Sequence, residues 1–583
     1  MEHPITNVYI TADTLISSLG FNTEENLKAI RNYRSGVTLQ EDGRIATTPL
    51  MAATINPEGI ASYLPEGING NTPETCLPRL EQLFILAIDR ILTQSGICLA
   101  DGTCGLILST TKGNIDLLAG HTDTPDERVF LAQMAKRIGD HFQASQPVEV
   151  ISNACISGVS ALVVAKRWIE TGVYKQVIVV GGDILSPFIT SGFLSFKSVS
   201  SKRCLPYDAR RDGLNLGEAC GAMLLSSEGA PEDILLSGGA ISNDANHISG
   251  PSRTGDGLYL AIRQAMNEAG VSPEDISFVN AHGTATVYND EMESKALHLA
   301  GLETVPVNSL KPYFGHTLGA SGVIESIICL HELKEGILFA TLGYEEPGVP
   351  MPLIVPSSHQ PIDMKCCIKT ASGFGGCNAA IVLTKASYSV PHPKDTQKAG
   401  EVRATTTVSI ENNRLCVNET PVISSSAPDF ASFIRETYKN LGESNMKFYK
   451  MDDLCKLGYI AAAYLLRGTH FLPEEIGILL SNAASSLDTD IRHQVIIDRD
   501  GDEAASPAVF VYTLPNVVAG EICIRHKIQG ENTFFIEETY NPGKMEQYAR
   551  IAMRKGALKA CIVGWCELLG QAYKAEFKLI EIQ

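Results

Sequence analysis

The chain has 583 residues, 44% of them hydrophobic, and a formal net charge of −19. That is enough apolar material for several buried sheets, and the acidic balance excludes a nucleic-acid binder, which needs a basic face. No apolar run reaches the length of a membrane span, and M-E-H-P-I-T-N at the start lacks the basic segment and apolar core of a secretory leader.

Fifteen cysteines would suggest disulfides in a small secreted chain. Here they are scattered in apolar runs (Cys329, Cys455, Cys523, Cys561), which suits a reducing cytoplasm. Neither C-x-x-C nor H-E-x-x-H occurs, so no metal site is expected.

In chain order, apolar runs at 104–111, 148–152 and 176–181 read as strands, separated by helical patterns at 127–141 and 157–170. The rhythm returns at 276–281 and 366–371. Such alternation predicts a layered α/β architecture with buried sheets. The strand at 148–152 runs into S-N-A-C-I-S-G and stops at Cys155, where a helix begins. Free N–H groups and the positive dipole end at a helix start favour thiolate over thiol. The same N–H groups stabilise an oxyanion on a carbonyl attacked by that sulfur. The plainer alternative is an inert core cysteine.

Further along, P-Y-D-A-R-R-D-G-L-N-L-G-E-A at 206–219 collects Asp208, Arg211, Asp212 and Glu218, which read as one structural charge network under a site. Lys202, Arg203, Arg210 and Arg211 make the densest basic cluster nearby. N-A-H-G-T at 280–284 and N-S-L-K-P-Y-F-G-H-T-L-G-A-S-G at 308–322 each set a histidine beside a glycine, His282 and His316. A lone histidine there is a turn residue; two such sites together with Cys155 suggest a shared cavity. The G-F-G-G run at 373–376 permits close backbone approach to a ligand, or simply a tight turn.

These segments, in this order, resemble the β-ketoacyl-ACP synthases, the decarboxylating condensing enzymes of the thiolase-like superfamily. The carriers are N-A-C-I-S-G, the 206–219 motif, H-G-T, K-P-Y-F-G-H-T-L-G-A-S-G and G-F-G-G-C-N, with V-Y-I-T-A-D-T-L-I-S-S-L-G at 8–20 as the first strand and loop. The resemblance covers about residues 1–388 and implies the five-layer α-β-α-β-α fold, with lobes at about 1–250 and 251–388. It implies that Cys155 carries an acyl chain and that neutral His282 and His316 donate to the enolate of a decarboxylating malonyl unit. Lys311 would hold them neutral, itself held by an acidic partner for which Glu293 is the candidate. The N–H of Phe374 would complete the oxyanion hole, its ring would gate the pocket, and Gly375 would allow the approach. Asp208, Arg211 and Glu218 would support the site. Substrates would arrive on the phosphopantetheine of acyl carrier protein, with no bound cofactor; Lys202, Arg203 and Arg210 are candidate carrier contacts. Two departures are Ile156, where a small residue is common and which would reshape the acyl pocket, and Cys377, where Thr or Gln is common. A non-decarboxylating thiolase would need a second cysteine as base, placed before the glycines rather than after them. A noncatalytic partner of a condensing enzyme would lack the nucleophile.

Beyond a polar linker at 389–402, residues 403–583 repeat the first lobe. Residues 549–569 align without gaps on 165–185 at an offset of 384, and I-G-I-L-L-S at 476–481 echoes C-G-L-I-L-S at 104–109. That register sets Thr539 opposite Cys155. The segment therefore resembles a second, partial thiolase-like domain without a nucleophile. It is expected either to dock on a synthase lobe as a built-in pseudo-partner or merely to stabilise the enzyme or recruit its carrier, so the assembly is expected to be a homodimer or an intramolecular pseudo-dimer.

Overall fold

The computed structural model describes residues 6–64, 77–388, 401–554 and 558–582; most of the expected linker (389–400) and residues 555–557 of the repeat lie outside these. The first sheet contains β1 (Tyr9–Ser17), β2 (Cys104–Ser109), β3 (Glu149–Ile151), β4 (Gln176–Asp183) and β5 (Ala219–Ser226). Its order is β3-β2-β4-β5-β1, parallel among β3, β2 and β4 and antiparallel beyond. The second sheet contains β6 (Ile234–Asn243), β7 (Ile276–Asn280), β8 (Val307–Asn308), β9 (Cys366–Gly373) and β10 (Cys377–Lys385), in the order β8-β7-β9-β10-β6.

The helices follow from their apolar pattern. α1 (Arg79–Ser95), α2 (Leu131–His141), α5 (Asp256–Ala269) and α6 (Val287–Leu299) each keep a polar face, as surface helices must. α3 (Ser157–Glu170) and α7 (Ser321–Glu335) are buried almost all round, so each needs protein on both sides. They lie side by side between the two sheets, with α1 outside the first sheet and α5 outside the second. That is the five-layer arrangement. α3 and α7 meet so closely that a Cβ on Gly158 would stand 2.8 Å from the Val323 nitrogen, and one on Gly322 would stand 2.3 Å from the Val159 nitrogen. α4 (Pro187–Ser195) flanks the junction.

The last segment builds β11 (Val402–Glu411), β12 (Arg414–Val417), β13 (Thr420–Ser424), β14 (Ile476–Asn482), β15 (Asn532–Ile536), β16 (Ala560–Leu569) and β17 (Ala572–Ile582). Its sheet runs β13-β12-β11-β17-β16-β14-β15. The pairing register reproduces that of the first sheet: Cys104 pairs with Gln176 and Ile476 with Ala560, while Ile151 pairs with Ser109 and Phe535 with Ser481. Even the irregularity at Ile10/Ala12 in β1 recurs at Ala404/Thr406 in β11. The helices of this unit include α8 (Asp453–Leu465), α9 (Leu487–Asp500), α10 (Val517–His526) and α11 (Pro542–Arg554).

The two units join edge to edge. β3 and β15 pair antiparallel, Ile151 with Phe535 and Val150 with Ile536. Phe535 is the 384-residue counterpart of Ile151, so a pseudo-two-fold axis passes through that pair. Buried ion pairs seal the seam: Arg167 Nη1 lies 2.6 Å from Glu531, and Lys112 Nζ lies 2.5 Å from Asp490. Lys112 also donates to Ser486 Oγ (3.0 Å) and the Thr513 carbonyl (2.6 Å), so all three of its protons are used. No helix among the described residues is long and apolar enough to cross a membrane.

Candidate active site

Between β3 and α3 the chain turns at Ala154, whose φ of 49° is in the left-handed region that a side chain disfavours. Ser157 holds the turn: its hydroxyl accepts from the Asn153 N–H (2.7 Å) and donates to the Ala154 carbonyl (2.6 Å). Cys155 is thereby presented at the floor of a cavity of about 390 Å³, walled by His282, His316, Phe193, Phe196 and Phe374. A smaller space of about 20 Å³ continues past the sulfur, bounded by Ile189 and Leu318 and, from the second unit, by Phe510, Thr513 and Leu514.

The backbone N–H groups of Cys155 and Phe374 both face the sulfur, where they favour its anion. The thiolate expectation, however, is corrected. Burial pushes the Cys155 thiol up to about 12, outweighing the Lys311 charge and both amides. The resting nucleophile is a protonated thiol.

His282 and His316 converge on that thiol. Their rings stand perpendicular with centroids 5.0 Å apart. One ligand atom from each of Cys155, His282 and His316 falls within 4.8 Å of the others, the one such cluster of metal-ligating side chains among the described residues. The Leu318 N–H donates to His316 Nδ1 at 3.1 Å, which leaves the ring proton on Nε2. Burial first, and the charges of Lys311 and Lys369 next, hold both imidazoles well below the ordinary histidine range. Both are neutral.

Lys311 is fully buried, but its partner is not Glu293. Lys311 Nζ and Lys369 Nζ share the carboxylate of Glu325, Lys369 at 2.5 Å. Glu293 instead accepts from the N–H groups of His282 and Gly283, both at 2.7 Å, and from Tyr207 Oη at 3.0 Å. The eleven-residue separation suits it to clamping the H-G-T loop, because α6 returns directly beneath β7. Glu325 and Lys369 escaped the sequence reading, although a lone charge in S-G-V-I-E-S and in C-C-I-K-T-A is a signal for a buried pair.

Asp208, Arg211 and Glu218 do not form one network. Asp208 takes Arg210 (2.8 Å) and the N–H groups of Glu345 and Glu346; Arg211 donates to the Gly348 carbonyl and lies 3.8 Å from Asp290; Glu218 is held by Arg79 (2.5 Å) and Arg44 (3.3 Å). Asp208 and Arg211 both pin the 345–348 loop, Arg211 also donating to the Asp208 carbonyl at 3.1 Å, whereas Glu218 turns away to Arg44 and Arg79. Asp212 is exposed. Ile156 is wholly buried in the core, and neither of the two cavities described at Cys155 is lined by it. Gly375, with φ of 88°, is a turn residue whose N–H donates to the Ile248 carbonyl at 2.6 Å. Of the basic cluster, Lys202 is exposed and Arg203 half-buried. Arg210 is engaged by Asp208 and, at 2.7 Å, by Glu345.

Comparison with known proteins agrees with this geometry. Residues 6–230 match the family model described as "Beta-ketoacyl synthase, N-terminal domain", and residues 235–345 match "Beta-ketoacyl synthase, C-terminal domain". The chain is 34% identical over 412 residues to 3-oxoacyl-[acyl-carrier-protein] synthase 2 of Vibrio harveyi, covering 65% of this chain and 98% of that protein. It is 29% identical over 395 residues to a putative polyketide beta-ketoacyl synthase 1 of Streptomyces cyaneus, covering 59% and 92%. Among solved structures it resembles the ketosynthase ApeO, in complex with its chain length factor ApeC, from Xenorhabdus doucetiae (26% identity, TM-score 0.56, 66% of this chain and 100% of that one). A PfaC keto synthase–chain length factor is alike in fold over 99% of this chain and 78% of its own, at 14% identity and a TM-score of 0.74. The chain belongs to the β-ketoacyl synthase family and is an acyltransferase, a condensing enzyme of fatty acid or polyketide synthesis.

Proposed function

We propose that the chain joins an acyl group held on Cys155 to the two-carbon unit of a malonyl thioester with loss of CO2, both substrates arriving on the phosphopantetheine of an acyl carrier protein. The observation that carries this reading is one buried thiol and two neutral imidazoles meeting within 4.8 Å in a single cavity. In the first half-reaction Cys155 Sγ attacks the acyl thioester. A new C–S bond forms, the oxyanion rests on the Cys155 and Phe374 N–H groups, and the carrier's thiol departs with the proton the cysteine gives up. In the second, the malonyl carboxylate leaves as CO2 and its electron pair forms an enolate, whose oxygen is met by His282 and His316. The enolate carbon attacks the acyl carbonyl, and the Cys155 sulfur leaves and recovers a proton. Each preorganised donor is worth roughly 3–4 kcal/mol to the barrier. No bound cofactor takes part.

Residues 403–583 act in this reading as a built-in partner, a nucleophile-less copy of the first lobe that supplies an intramolecular pseudo-dimer. Its support is the pseudo-two-fold pairing of β3 with β15 and the presence of Phe510, Thr513 and Leu514 on the wall past Cys155. The ketosynthase of Xenorhabdus doucetiae, solved with its chain length factor, is the parallel. The carrier docks beside the mouth, with exposed Lys202 as a contact.

Intact-protein mass spectrometry after incubation with a panel of acyl-carrier proteins tests the reading. A chain-selective mass gain, lost in Cys155→Ala, is expected; equal gain in the variant rejects it.

A further inference from the structure

The loop that supplies half of the oxyanion hole is gripped by the second unit. Asn516, at the start of α10, donates from Nδ2 to the Phe374 carbonyl at 2.9 Å, where Cys377 Sγ also donates at 3.2 Å. On the other side of the loop, Asn243 Nδ2 donates to the Gly375 carbonyl at 2.9 Å. α10 lies so near that a Cβ on Gly520 would stand 2.6 Å from the Gly375 oxygen. Asn516 is 1% exposed, and its Oδ1 is buried with no partner. An amide chosen only to fill space would be poorly chosen, because it leaves an acceptor unpaired. Its N–H donation is what it contributes. By the 384-residue register, Asn516 corresponds to Ala132 in the first unit, so the pseudo-symmetry does not account for it.

We infer that Asn516 is a positioning residue for acyl transfer: from the second unit it fixes the 374–375 peptide and so aims the Phe374 N–H at the thioester oxygen. Holding that peptide sets the backbone of Phe374 and thereby the direction of both its N–H and its ring. An oxyanion hole works only when its donors are in place before charge develops. The inference rests on the condensing-enzyme reading and separates its two half-reactions. Acylation of Cys155 uses the Phe374 N–H, whereas decarboxylation leans on His282 and His316.

The test uses the full chain. Asn516→Leu keeps the volume and removes the donor; Asn516→Gln keeps the donor on a longer arm. The rate of Cys155 acylation by an acyl thioester is read by mass, and malonyl decarboxylation is read as CO2 release on a Cys155→Ala background. Asn516→Leu is expected to slow acylation ten- to a hundred-fold while decarboxylation stays within two-fold, with partial recovery in Asn516→Gln. Parallel loss of both steps, or loss of neither, overturns the inference. If Asn516→Leu does not fold, Gly520→Ala, which presses on the Gly375 carbonyl from the same helix, must show the same split. His282→Ala on the same background tells the two ideas apart: unchanged decarboxylation there defeats the condensing reading, not the role of Asn516.

Discussion

Two strand-to-helix junctions in this molecule share a backbone plan and little else. Cys155 follows β3 and precedes α3; Thr539, 384 residues on, follows β15 and precedes α11. Cys155 is buried under loops from β7, α7 and the β9–β10 turn, whereas Thr539 is exposed. At the first junction Gly158 admits the Gly322–Val323 backbone of α7; its counterpart is Pro542, which suits a first helical turn and leaves no room for such an approach. The comparison teaches that the turn presents a side chain, but the lobe above it makes the chemistry. Histidines, lysines and the Phe374 loop all come from residues 251–388.

The sharpest way to break this comparison is to move the sulfur. Cys155→Ala should abolish condensation, and adding Thr539→Cys should restore none of it, read as product formed from acyl- and malonyl-carrier. The introduced exposed thiol should alkylate with an ordinary titration near pH ~8.5. Cys155, raised to about 12 by burial, should instead react about tenfold faster per pH unit from 7 to 10 without levelling. Recovered condensation would end the argument.

A smaller effect tests the second lobe of the synthase. Glu325→Gln strands Lys311 and Lys369 beside each other with no carboxylate, and should cost about 3–5 kcal/mol in urea unfolding. Lys369→Met in the same chain should return part of it. A shift below 1 kcal/mol in the single variant would show that the charges find other partners.

The smallest concerns the second unit. His493 of α9, packed against Phe188 and Phe510, is held down to about 4 by burial. Between pH 6.5 and 4 the unfolded chain binds a proton there that the folded chain does not. Its contribution is therefore complete above pH 6.5 and drains away as pH falls. His493→Gln should flatten the loss of stability between pH 7 and 5 by about 2 kcal/mol. An unchanged slope would mean that this ring is hydrated in the folded protein.

Much of the site was legible because its residues sit in local motifs. Cys155, His282, His316, Lys311 and Phe374 could be picked out by neighbours within a few positions, and the repeat by a constant offset. Partner choice was not legible. Glu293 and Glu325 are both carboxylates at plausible distances along the chain, and only the packing of α6 and α7 decides that one clamps a loop and the other joins two lysines. The 206–219 motif shows the same limit: Asp208 and Arg211 stay together on the 345–348 loop, but closeness in sequence does not keep Glu218 with them.

The amino-acid order by itself determined the chemistry available, the layered α/β plan and a repeat of the first lobe's pattern with Thr539 where Cys155 would stand, since each is written in short-range pattern. The tertiary structure alone decided that the thiol rests protonated, that Glu325 is shared between two lysines and that Asn516 reaches across the seam to the Phe374 loop. Burial and long-range contact set those outcomes, because desolvation and hydrogen bonding depend on what surrounds a group, not on what precedes it in the chain.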